Sequence, residues 1–167
     1  MPVTSMKLRE VIVVTALALE ALGVRENGKN AGEVVSKILT RAGGKPGMPW
    51  CMAYVDFCYE EACKRLGKKP NLNPGLSCSD FVSRCIPRGI VFTDATSAQP
   101  GDFMVLASKP GSAKPYKHIG IVILPVDRDG YIHTVEGNTN VAGSHEGDGI
   151  YRTRRAVTTK AVYIAPV

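Results

Sequence analysis

His118-Ile119-Gly120-Ile121-Val122-Ile123-Leu124 is a run of β-branched and aliphatic residues led by a histidine. A stretch of this length and composition, flanked by polar chain, reads as a buried strand. Asp127-Arg128-Asp129-Gly130 follows as a turn, and Tyr131-Ile132-His133-Thr134-Val135-Glu136 reads as a second strand that folds back on the first. Phe103-Met104-Val105-Leu106 on one side and Ala161-Val162-Tyr163-Ile164 on the other have the same character. From Pro100 onward the chain is therefore expected to form an antiparallel sheet.

Upstream of Pro100 the period changes to that of helices. Leu8, Ile12, Thr15, Leu19 and Leu22 recur at helical spacing, with Gly23 as a stop. Further helices are expected from about Ala31 to Ala42, from Trp50 to about Leu66 and from near Ser77 to about Cys85, separated by Gly-, Pro- and Asn-rich connections. Helices followed by an antiparallel sheet make an α+β arrangement, and 167 residues make one domain. Hydrophobic content of 44% against 22% charged residues excludes a disordered chain. The apolar stretch Val11 to Leu19, after Lys7 and Arg9, imitates a secretory leader. Glu10 and Glu20 bracket it too closely, and it is about half the ~20 residues of a membrane span. The expectation is a retained first helix, no cleaved signal peptide, synthesis in the cytoplasm and no membrane span.

Lys and Arg number 21 against 15 Asp and Glu, a formal charge of +6. That favours anionic polymers through a screened attraction. The basic residues come as short pairs, Lys64-Arg65, Lys68-Lys69 and Arg154-Arg155, with no basic and aromatic module between them, so no nucleic acid partner is expected. The five cysteines, Cys51, Cys58, Cys63, Cys78 and Cys85, are an odd number, which leaves at least one free thiol in any pairing scheme. Cys58 lies seven residues after Cys51, and Cys78 and Cys85 repeat that spacing on the next helix, which suits burial between packed helices, and the C-x2-C spacing of a zinc site is absent.

Cys51 follows Pro49-Trp50 and opens a helix. A helix start offers unpaired N–H groups and the positive end of the dipole, which favour a thiolate and can also hold an oxyanion. A buried structural cysteine is the alternative. Three histidines could serve such a thiol as base: His118 at a strand head, His133 in mid-strand and His145 in a Gly-rich loop. A histidine at the head of a strand can face a cleft while the strand packs in the core, which favours His118. Counting outward from Arg128 sets His118 opposite about residues 136 to 139, among them Glu136 and Asn138. A carboxylate there would fix the imidazole tautomer and complete a nucleophile, base and orienter relay. Trp50 either walls a substrate groove or packs against the sheet.

These residues lie within a longer set of landmarks: Gly23-Val24-Arg25-Glu26 with Asn30-Ala31-Gly32, Pro49-Trp50-Cys51, Ala98-Gln99-Pro100-Gly101-Asp102, His118-Ile119-Gly120-Ile121-Val122, Glu136-Gly137-Asn138-Thr139-Asn140 and Gly147-Asp148-Gly149-Ile150-Tyr151. In order and spacing the chain resembles the CHAP family, cysteine- and histidine-dependent amidohydrolases and peptidases of papain-like fold, from about residue 23 to 155. The resemblance implies Cys51 as nucleophile, His118 as base and then acid, Glu136 as orienter and Asn138 as a fourth polar group. It implies peptidoglycan as substrate and action in the periplasm or on the cell wall. Phage lysins released through a holin pore and secreted antibacterial effectors paired with an immunity protein both suit that chemistry. The enzyme is expected to work as a monomer. Some family members carry an acidic calcium loop before the cysteine; residues 41–50 here contain no carboxylate, so no metal and no cofactor are expected. The competing readings are a protease, deamidase or acyltransferase acting on proteins with the same scaffold, and a non-enzymatic cysteine-rich binding module.

Overall fold

The computed structural model describes residues 6–144 and 146–167. Four helices come first: α1 (Leu8–Ala21), α2 (Glu33–Arg41), α3 (Cys51–Arg65) and α4 (Cys78–Cys85). Six strands follow: β1 (Val91–Phe92), β2 (Phe103–Ala107), β3 (Tyr116–Leu124), β4 (Tyr131–Thr139), β5 (Gly149–Ala156) and β6 (Ala161–Ile164). All six belong to one antiparallel sheet in the order β1-β6-β2-β3-β4-β5. The α+β reading holds. Among the described residues no helix is long and apolar enough to cross a membrane.

The helix that begins at Cys51 is the centre of the molecule. Met52, Ala53, Tyr54, Val55, Cys58, Tyr59 and Ala62 have no solvent exposure, because α3 is covered by α1 and α2 on one side and lies on β3 and β4 on the other. Its buried tyrosines are satisfied: the Tyr54 hydroxyl donates to the Ala16 carbonyl at 3.1 Å, and Tyr59 accepts from the Leu72 N–H at 3.1 Å. Ile119, Ile121 and Val135 of the sheet join this helix-side core, and Met104, Leu106, Val122, Ile132 and Tyr163 form a second apolar cluster. Successive side chains of β3 and β4 thus feed two layers.

Gly137 lets backbone and side chains pass where a methyl group would not fit. A Cβ on Gly137 would sit 2.8 Å from Cβ of Tyr54 and 2.9 Å from Cζ3 of Trp50, so β4 meets the start of α3 without a side chain between them. Gly137→Ala is expected to cost about 1–3 kcal/mol in urea unfolding, the usual penalty of overpacking, and to lower Cys51 reactivity by displacing Trp50. Unchanged stability and reactivity would mean that the contact is not tight.

The sequence landmarks outside the cysteine and histidine segments prove to be joints. Glu26 N–H donates to the Asp148 carbonyl at 2.7 Å, and Arg25 lies over the Tyr151 ring at 4.0 Å. Residues 24–26 and 148–151 therefore form one pairing that fixes the start of β5. The Gln99 to Asp102 turn is locked by Arg9, whose guanidinium reaches the buried Asp102 carboxylate at 2.8 Å, while Gly101 adopts a φ of 95° beneath it.

Candidate active site

Cys51 is the first residue of α3, as its position after Pro49-Trp50 implies. No side chain caps this helix start and its first turn carries no acid, so the free N–H groups and the positive end of the dipole face the Cys51 sulfur without a competing anion. Ordinary helix starts recruit Ser, Thr or Asp there.

His118 is the third residue of β3, which begins two residues earlier than the sequence pattern suggested. The register Ile121↔Val135 and Val122↔Thr134, continued toward the start of β3, sets it opposite Asn138, within the window expected from the hairpin. Glu136 is its diagonal neighbour. The His118 Nε2–H donates to Glu136 Oε2 at 2.6 Å, and both side chains are completely buried. Gly120 makes this possible: a Cβ there would lie 2.5 Å from Cγ of Glu136.

The carboxylate is held on every side. Oε1 accepts from the Thr134 hydroxyl at 2.6 Å, the Thr153 hydroxyl at 2.9 Å and Arg155 Nε at 2.8 Å, and Arg155 Nη2 also donates to Oε2. Burial pushes the Glu136 carboxyl up, but Arg155 and His118 outweigh it and hold the group ionised well below the usual carboxylate range. Burial pulls His118 down; hydrogen bonds to Cys51 and Glu136, together with their negative charge, win and push the imidazole up to about 9.

The remaining ring nitrogen, Nδ1, is buried with no hydrogen-bond partner among the described residues. Cys51 and the His118 ring each shift the titration of the other. Cys51 is lowered well below the ordinary thiol value, first by a hydrogen bond from the Cys78 thiol, then by His118 and the Met52 N–H, against the opposing effect of burial. Cys78 moves the opposite way, raised by its bond to Cys51 and by burial. The Ser79 hydroxyl explains its placement, because it donates to the Tyr116 carbonyl at 3.2 Å and accepts the Tyr116 N–H at 3.1 Å, pinning the start of α4 to the start of β3.

The other sequence candidates fall elsewhere. His133 pairs with Asp127 at 2.7 Å beside the β3–β4 turn. His145 lies outside the described residues. Asn138 is buried with a φ of 55° at an irregularity between β4 and β5, and its Oδ1 has no partner among the described residues. Trp50 is fully buried against Gly137 and its Nε1–H donates to Glu26 at 3.0 Å, so of its two sequence roles its position serves packing and offers no surface to a substrate. That same Glu26 lines a cleft of about 760 Å³ with Lys29, Asn140, Val141, Asp148 and Tyr151. Cys51, His118 and Glu136 are not part of its lining; Glu26 links it to Trp50, the residue before Cys51.

Sequence reasoning missed β5 altogether. Its pattern Gly149-Ile150-Tyr151-Arg152-Thr153-Arg154-Arg155-Ala156 is mostly polar, and Arg154-Arg155 read as a solvated pair. The alternation of Thr153 and Arg155 was the available signal, since both face Glu136 across the β4–β5 ladder.

The family model of the CHAP domain matches residues 43–138, more than half of the chain. The chain belongs to the CHAP family. The match takes in Cys51, His118, Glu136 and Asn138 and ends before β5, a shorter span than the resemblance traced from residue 23 to 155. CHAP domains are cysteine- and histidine-dependent amidohydrolases and peptidases, so hydrolysis of an amide bond is the general activity to be explained. Comparison with curated proteins and with solved structures found no significant match.

Proposed function

We propose that this CHAP domain hydrolyses an amide bond of peptidoglycan, with Cys51 as nucleophile, His118 as proton carrier and Glu136 as its orienter. One observation carries the reading: the unneutralised start of α3 and the buried His118–Glu136 pair converge on a single sulfur. The opposite shifts of Cys51 and His118 favour a thiolate and an imidazolium before substrate arrives. The Cys51 thiolate attacks the carbonyl carbon, and the free N–H groups of α3 hold the developing oxyanion. His118 gives its proton to the leaving amine as the C–N bond breaks. Water then attacks the thioester, His118 takes a proton from it, and Cys51 leaves as the thiolate.

The cleft along Glu26, Asn140 and Tyr151 offers a polar trough for a peptide-bearing polymer. The formal charge of +6 suits an anionic envelope. A phage-type lysin released through a holin and an antibacterial effector neutralised by an immunity protein are the two settings for such an enzyme, working as a monomer on the cell wall.

Incubation with purified peptidoglycan, followed by mass spectrometry of the soluble products, tests the proposal. Release of fragments with new amine and carboxyl ends is expected, and their masses identify the amide cut. Intact sacculi alongside cleavage or deamidation of a protein substrate would transfer the same residues to the competing reading.

A further inference from the structure

The three arginines of β5 have different fates. Arg152 pairs with Glu20 at the surface and Arg154 stacks on the Tyr131 ring, both ordinary uses of a strand's outer face. Arg155 turns inward. Its side chain is 14% exposed against a fully buried Glu136, and Nε and Nη2 grip the two carboxylate oxygens while Nη2 also donates to the Gly143 carbonyl at 3.0 Å. A planar guanidinium matches a carboxylate in two-pronged fashion, which a lysine cannot reproduce.

Fixing the carboxylate matters because His118 has one correct orientation. With Nε2–H held by Oε2, Nδ1 is the ring nitrogen left free to serve Cys51, whose titration is coupled to the ring. A carboxylate free to rotate about its last torsion would release the ring. Thr134 and Thr153 occupy Oε1, so Arg155 is the one group that spans both oxygens.

We propose that Arg155 is a positioning residue of this active site: its grip on Glu136 locks the carboxylate against His118 and ties that contact to the Gly143 loop. The proposal rests on the reading of Cys51, His118 and Glu136 as the working groups, and it concerns a residue beyond the span matched by the family model.

Alkylation of Cys51 by iodoacetamide, followed by peptide mass across pH, tests this without a cell-wall substrate. In the unmodified protein Cys51 should react as a thiolate at pH values well below the ordinary thiol range. Arg155→Lys keeps the charge and should retain that acid limb with a rate reduced a few-fold. Arg155→Gln leaves the buried Glu136 free to take a proton at higher pH, so the imidazolium loses its anion and the limb should move up by about one pH unit or more.

A double-mutant cycle separates positioning from general damage. Glu136→Gln and the double variant Glu136→Gln/Arg155→Gln should react alike, because Arg155 has no carboxylate left to hold. The double variant leaves neither charge buried without its partner, so it carries the comparison with Glu136→Gln if Arg155→Gln alone does not fold. A normal profile in Arg155→Gln, or a double variant clearly slower than Glu136→Gln, would overturn the proposal. An ordinary thiol profile in the unmodified protein would overturn the reading of the site and this proposal with it.

Discussion

Cys51→Ala will fail to solubilise peptidoglycan, with a rate loss of about 10⁴-fold or more, while its thermal unfolding stays close to that of the parent chain. The catalytic expectation follows from the chemistry: without the sulfur no acyl-enzyme can form, and the oxyanion site has nothing to stabilise. The folding expectation follows from the position. Cys51 is 6% exposed at the mouth of the site, and alanine is the best helix former at the same place. Cys51→Ser should be equally inactive, since a hydroxyl does not ionise under the forces that lower a thiol. The other cysteines sharpen the test. Burial raises Cys58, Cys63 and Cys85, and the bond to Cys51 together with burial raises Cys78. Below neutral pH iodoacetamide should therefore label Cys51 and spare the rest. Wall hydrolysis surviving in Cys51→Ala, or labelling spread over all five thiols, would remove the nucleophile from the account.

The parts of this site that sequence made legible share a physical reason: they depend on local order. A helix start is announced by the break at Pro49 and the apolar period after it, and α3 begins at Cys51. A hairpin converts chain distance into spatial distance, so His118 and Glu136 could be brought together by counting outward from Arg128. The parts that stayed hidden depend on contacts between distant segments. Arg155 reaches Glu136 only because β5 adds to the open edge of β4, and the alternation of Thr153 and Arg155, which hints at a strand, does not say which residue they face. Cys78 stands at the start of α4, where Ser79 links it to β3, and acts on the titration of Cys51, a role that sequence does not separate from the buried Cys58 and Cys85. Trp50 was ambiguous because an aromatic beside a nucleophile suits a groove and a core equally. The absence of a side chain at Gly137 decides it, by leaving room for the indole against the sheet.

Glu136→Gln should lower hydrolysis by about 10³ to 10⁴-fold, the scale on which loss of an orienting carboxylate acts in a nucleophile and histidine relay, and should also cost about 3–5 kcal/mol of stability. The second effect comes from what is left behind. Arg155 remains largely buried with its counter-ion gone, and His118 loses the anion that supports its imidazolium. The pH dependence distinguishes this from simple packing damage. Glu136 is held below its ordinary 4.5, so its contribution is complete above that value and fades as pH falls toward its folded titration. His118 is raised from 6.5 to about 9, so its contribution is complete below 6.5 and is lost as pH rises through 9. The stability gap between parent and variant should therefore be widest from about pH 4.5 to 6.5 and shrink on both sides. Urea unfolding of the two proteins at an acidic, an intermediate and an alkaline pH measures it. A gap of constant size across that range would show that the loss comes from shape alone, and that the charges around Glu136 do not govern how the site is held.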